Sequence, residues 1–243
     1  MPRWWMLAPV CAACASTPST PAPAPAPAPA ASCPSAGASV AGPAYVPHPA
    51  ASISVDLPPV PRLAERPARA GEDFTVWGAS SALRSRFEQA SVSGARIWIT
   101  GYIVRTNLAD APRCAVHPSG VATPPRCTAP VPAFWIADRP DAAIDDSVKV
   151  MGWASNFAQI HDAIRAYAHP GAAAHFDDLW GVVLPNPLPA KGAKVRVFGS
   201  YATTFRRAAA GFEHDPVMGI LSYEQLDVLE RAPAPATLPG MKP

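Results

Sequence analysis

Residues 97–102 read IWITGY, and the chain repeats their pattern twice, as VKVMGW at 148–153 and VRVFGS at 195–200. Each copy runs β-branched, any residue, β-branched, any residue, glycine. Side chains alternate along a strand, so Ile97, Ile99 and Gly101 share one face, as do their counterparts in the other copies. Branched residues suit a half-buried pleated surface. Glycine weakens a strand interior unless the chain must bend there or approach another backbone closely. Three such glycines predict strands coiling around a small barrel. The alternative is an open sheet in which the glycines are incidental.

Two more strands complete a set of five. Residues 133–138 read AFWIAD, and the run from Met218 to Leu229 begins as a strand. Between the second and third copies, residues 155–169 read SNFAQIHDAIRAYAH. Phe157, Ile160, Ile164 and Tyr167 or Ala168 follow helical spacing. Ser155 is the expected N-cap, and Pro170-Gly171 ends the helix. The order strand, strand, strand, helix, strand, strand is that of the OB-fold, a five-stranded Greek-key barrel. On these elements, residues 72–231 resemble the OB-fold domains of bacterial envelope lipoproteins, within the anticodon-binding-like OB class. The expected fold class is therefore mainly β, an OB-fold-like barrel with its helix between strands three and four. Phe74 to Glu88 leaves room for an extra strand and short helix ahead of the barrel. Residues 176–189, FDDLWGVVLPNPLP, are apolar enough to close one barrel end.

The flanks are of another kind. The 243-residue chain carries 32 prolines, and they cluster. Residues 1–14, MPRWWMLAPVCAAC, place Arg3 before a short apolar run that ends in small residues. That reads as a secretion signal, too short to span a bilayer. Its end resembles a lipobox, which implies lipidation at Cys14. Ala15 and Ser16 follow, with no aspartate, so an outer-membrane lipoprotein of the cell envelope is expected. A plain secreted or periplasmic protein, or a miscalled start, are the alternatives. Residues 15–71 read as a disordered spacer. Its PAPAPAPAPA run, Pro21 to Ala30, should form polyproline II at about 3.1 Å per residue. Within it ISVDL, residues 53–57, alternates like an edge strand. Residues 232–243 read as a second disordered tail.

The OB resemblance also implies where a ligand sits. Such barrels bind on strands two and three and on the loops after strands one and four. Here those loops are Thr106 to Pro132 and Thr204 to Pro216, the latter with His214. The candidate ligand-binding residues are Trp135, Lys149, Met151, Trp153, Arg206 and Arg207, with core or rim packing the competing reading for the tryptophans. Residues 72–231 hold 15 basic and 16 acidic side chains. Phosphate neutralisation dominates nucleic-acid affinity, so that balance argues against such a ligand. An envelope protein, a peptide or a glycan fits better, with the membrane reached through the N-terminal anchor.

Cys114 and Cys127 bracket CAVHPSGVATPPRC and are the only cysteines of residues 72–231. In an oxidising envelope such a pair reads first as a disulfide. A metal site of Cys114, His117 and Cys127 is the alternative, although it lacks paired CxxC spacing; a free thiol pair is the third. Cys33 is left unpaired. Asp138, Asp141, Asp145 and Asp146, like Asp177 and Asp178, read as solvated loop charge, and His161 as a surface residue. With no catalytic motif found, the expectation is a non-enzymatic binding protein without cofactor or metal. The alternatives are an assembly lipoprotein working through ISVDL or Cys33, and a metal-dependent enzyme using the Cys114/His117/Cys127 site.

Overall fold

The computed structural model describes residues 42, 46, 65–169, 171–207, 211–235 and 237–241. The signal segment, Cys14, Cys33, ISVDL and all but a few residues of the spacer lie outside them. Every element below belongs to the unit that begins at Pro61.

In chain order these are β1 (Arg69–Ala70), β2 (Asp73–Thr75), α1 (Val76–Arg84), α2 (Gln89–Val92), β3 (Ala95–Thr106), β4 (Ala133–Ala137) and β5 (Val148–Met151). There follow α3 (Phe157–Tyr167), β6 (Phe176–Asp177), β7 (Val182–Val183), β8 (Lys194–Ala202), β9 (Thr204–Arg207), β10 (Gly211–His214) and β11 (Ile220–Glu230). Five strands close a barrel in the order β3, β4, β5, β11, β8 and back to β3. All its pairings are antiparallel except β5 with β11. Helix α3 lies between the third and fourth barrel strands, as the OB-fold order requires. The expected extra elements ahead of the barrel are β2 and α1.

The three glycines divide into two kinds. Gly101 and Gly199 allow close approach: a Cβ on Gly101 would lie 2.8 Å from the Ala137 carbonyl oxygen, and one on Gly199 only 1.9 Å from that of Ser222. Gly152 instead stands just past β5, with φ +90°. It ends its strand rather than bending it. Ile99, Ile103, Val148, Val150, Val195 and Val197 all point into one core with Phe134, Ile136 and Trp153.

Helix α1 plugs one side of that core with Val76, Ala79, Ala82 and Leu83. Its first amides are capped twice over. Thr75 Oγ1 accepts from Gly78 N at 2.9 Å. Asp138, one residue past β4, accepts from Val76 N at 2.7 Å and from Trp77 N at 2.9 Å. Asp138 is thus a cap tying helix to barrel, and not merely loop charge. Asp138→Ala should lower stability by about 1–2 kcal/mol, and Asp138→Asn by less; urea unfolding of the two variants checks the order.

Three further expectations change. Helix α3 is capped by Asn156, whose side chain accepts from Gln159 N, while Ser155, one residue earlier, gives its own N–H to Asp177. His161 is buried, not on the surface. Residues 232–243 are not all free tail: Leu238 is buried in the main core and Met241 packs against it. Burying that leucine contributes about 2 kcal/mol toward holding the segment on the barrel.

Candidate functional site

The outer face of β4 and β5 is built around a row that crosses three strands. Register sets Arg105 on β3 opposite Trp135 on β4, and Trp135 opposite Lys149 on β5. Arg105 Cζ and Lys149 Nζ each lie 5.3 Å from the Trp135 ring centroid. The half-buried indole therefore has a cation on either side, and both cations have counter-charges. Arg105 meets Asp110 at 3.3 Å, and Lys149 pairs with Glu213 of β10. A cation over an indole face is attracted by the ring quadrupole.

Below this row the face is covered by the chain itself. Met151 points out of the barrel, as alternation requires, yet it is fully buried. Phe205 of β9 lies over it, with Ala133 and Ile220 beside it and Trp180 at the edge. Met151 is therefore packing, not ligand contact. Trp153 is corrected more strongly. The positive φ of Gly152 turns the chain inward, and Trp153 stacks edge-on against Phe134 at 6.2 Å in the main core. Arg207 is partly covered: its guanidinium carbon lies 4.7 Å from the Trp180 ring centroid. Arg206 is exposed and makes no ion pair among the described residues. The structure thus brings together Trp135, Lys149 and the β9–β10 hairpin that carries both arginines, and it removes Met151 and Trp153.

Some members of this surface were not read from the sequence. Arg105 could have been found from the register opposite Trp135. Phe176, Leu179 and Phe212 are exposed apolar side chains on the two hairpins beside the face. Trp180 joins those hairpins, its ring centroid 6.4 Å from that of Phe205. It is held there by Asp177, a fully buried carboxylate and not solvated loop charge. Asp177 accepts from Leu179 N, Trp180 N and Ser155 N at 2.6–3.1 Å.

The other border is the loop between β3 and β4. Asn107 closes its base, donating to Val131 O at 2.7 Å and accepting from Ala133 N at 2.8 Å. Cys114 and Cys127 are joined by a disulfide, with Cα atoms 5.9 Å apart. Sulfurs bonded to each other are not thiolate ligands, so the proposed metal set with His117 does not form. His117 instead bonds Thr123 Oγ1 at 3.1 Å and the Pro118 carbonyl. At the loop tip, Ser119 N donates to Asp162 of α3 at 2.8 Å, and Ser119 Oγ donates to the same oxygen. His161 Nδ1 donates to the other oxygen at 2.8 Å.

Burial works to raise the pKa of Asp162. Hydrogen bonds from the Ser119 hydroxyl, from His161 and from the Ser119 amide outweigh it, and the net value is below the usual carboxylate range. A carboxyl so lowered stabilises the folded form above its unfolded pKa, near pH 4, and that stability is lost as pH falls through the folded value. The loop tip should therefore stay on α3 at about pH 4 and release only as pH falls through the folded value, below the usual carboxylate range. Hydrogen exchange at Ser119 checks this: its protection should hold down to about pH 4 in the wild type, fall on further acidification, and be low throughout in Asp162→Ala.

The fold defines an OB-fold-like β-barrel whose β4–β5 face is partly covered by its own hairpins. No family model and no curated protein matches this chain.

Proposed function

We propose that the protein is a non-enzymatic binding module of the cell envelope, lipid-anchored through Cys14, whose barrel holds a protein, peptide or glycan surface on the β4–β5 face. The carrying observation is the Arg105–Trp135–Lys149 row. It sets one indole between two cations, a means by which a surface is gripped. The stapled loop borders the row on one side and the exposed Phe212 and Leu179 lie on the other. Truncating a central tryptophan typically costs 2 kcal/mol or more, roughly thirtyfold in affinity. The full chain and its Trp135→Ala variant, immobilised and exposed to envelope extract with its glycans, should therefore differ. A component retained by the wild type should be lost from the variant. Equal recovery, or recovery of nothing, defeats the reading. Intact mass of the mature chain reports lipid at Cys14 separately.

The loop staple should matter to binding as well. Loops of this length gain about 3 kcal/mol from a disulfide in the chain-entropy account, and a preordered loop loses less entropy on binding. Cys114→Ser/Cys127→Ser should lower the unfolding free energy by about that amount while the barrel still folds. It should weaken retention of the same component. Unchanged binding and unchanged loop protection would separate the staple from function.

A further inference from the structure

The neighbouring outer face of the barrel, on β3 and β8, carries a second arrangement of rings and ion pairs, and it opens into a cavity. On the outer face of β3 and β8, register places Trp98 opposite Phe198, Thr100 opposite Arg196, and Tyr102 opposite Lys194. The Trp98 and Phe198 ring centroids are 5.1 Å apart. Arg196 Cζ stands 4.4 Å from the Trp98 ring centroid, and Lys194 Nζ stands 5.2 Å from that of Tyr102. Trp98 to Tyr102 spans four residues of strand, about 13 Å. All the rings are half-buried, so each keeps accessible surface.

Thr100, Tyr102 and Lys194 are shared with a concavity of about 770 Å³ walled by Trp77 of α1 and by Arg139 beyond β4. Ligand pockets commonly run from about 300 to 1,000 Å³. What could fill this one is decided by charge. Among its described lining residues the four cations, Arg66, Arg84, Arg139 and Lys194, are matched by four carboxylates. The strip adds two cations and four carboxylates: Arg196 meets Asp227 at 2.8 Å and Asp73 at 4.0 Å, Arg96 pairs with Glu224, and Lys194, already counted, meets Glu230 at 3.3 Å. A polyanion would find no positive field to steer it, and the slight acidic excess, tied up in ion pairs, would draw a polycation only weakly. A neutral polyhydroxyl chain would find what it needs. Its C–H faces can lie on rings, while its hydroxyls both donate and accept, against guanidinium donors and carboxylate lone pairs left over from the ion pairs.

We infer that the Trp98–Phe198–Tyr102 strip and the adjoining cavity form a second binding site, for a neutral oligosaccharide. This site does not depend on the Trp135 face, and its failure would leave that reading untouched.

The test uses the full chain with assigned indole N–H signals. It is titrated with neutral hexasaccharides (chitohexaose, maltohexaose and cellohexaose), with an anionic hexagalacturonate, and with a neutral proline-rich peptide. At least one neutral hexasaccharide should shift the Trp98 and Trp77 signals and leave Trp135 in place. Trp98→Ala/Phe198→Ala should weaken that binding at least tenfold, whereas Trp135→Ala should not change it. Should the double variant fail to fold, Thr100→Arg adds bulk at the junction of strip and cavity without removing a packed ring, and it should have the same effect. The inference is overturned if no neutral hexasaccharide binds. It is also overturned if the anion or the peptide binds in its place, if Trp135→Ala is the variant that abolishes binding, or if Thr100→Arg binds normally.

Discussion

Gly199→Ala should be the most damaging single-methyl addition in the barrel, lowering the unfolding free energy by about 4 kcal/mol. The added Cβ would sit 1.9 Å from the Ser222 carbonyl oxygen, and 2.8 Å from its carbon. Both atoms are backbone, so no rotamer change relieves the contact. Strands β8 and β11 would have to separate. This pair carries the longest register in the barrel, from Ile220↔Ala202 to Glu230↔Lys194, and it slips by one residue between Tyr223 and Gln225, just where Gly199 crosses. Two controls separate the clash from the generic effect of losing a glycine. Gly101→Ala would put its Cβ 2.8 Å from the Ala137 carbonyl oxygen and should cost about 2 kcal/mol. Gly94 has φ +76° with nothing within 4 Å of a Cβ, so Gly94→Ala carries conformational strain alone, about 1 kcal/mol. Thermal midpoints should rank the variants in that order, with Gly199→Ala roughly 10 °C or more below the wild type. If Gly199→Ala were no worse than Gly94→Ala, close strand approach would not be what that glycine provides.

The same glycines show what the sequence made legible and what it did not. Period-two patterning identifies which residues of β3, β5 and β8 face inward, because a strand in a barrel has one buried face and the apolar set must occupy it. That logic holds only while the chain stays extended. At Gly152 it does not, since nothing in VKVMGW distinguishes a glycine that bends a strand from one that ends it. Alternation carried past that point puts Trp153 beside the outer surface, whereas the turn sends it into the core. Met151 failed differently. Its direction out of the barrel was right, but the cover over it comes from Phe205, more than fifty positions away. Such coverage is a tertiary fact with no local signature. Asp138 and Asp177 share this difficulty: each sits at or beside an apolar run, and each is set apart only by backbone amides that the fold delivers to it. Asp162, on α3, is set apart in the same way by the amide and hydroxyl of Ser119, more than forty positions away.

Asp177 is where that hidden role has the largest consequence. Asp177→Ala should destabilise the protein by about 4 kcal/mol, since it strips acceptors from three amides, and hydrogen bonds to a charged group each contribute about 1.5–3 kcal/mol. The two carboxylate oxygens divide the work. Oδ1 accepts from Leu179 N and Trp180 N, which folds the turn of the β6–β7 hairpin. Oδ2 accepts from Ser155 N, just before α3. Asparagine can keep a carbonyl oxygen in the Oδ1 position, but its amide N–H₂ would then face the Ser155 N–H, donor against donor. Asp177→Asn should therefore keep the hairpin and lose the tie to α3, falling between wild type and alanine. The two variants should also differ at the β4–β5 face. Trp180 lies against Phe205 and beneath Arg207, so releasing the hairpin frees the Arg207 side of the candidate surface. In Asp177→Ala the Trp180 emission should shift to the red and partner retention should fall. In Asp177→Asn, emission and retention should stay near wild type while the unfolding midpoint drops. If both substitutions lowered stability equally with no change at Trp180, the carboxylate would be serving only the start of α3, and the hairpin would be held by its apolar contacts alone.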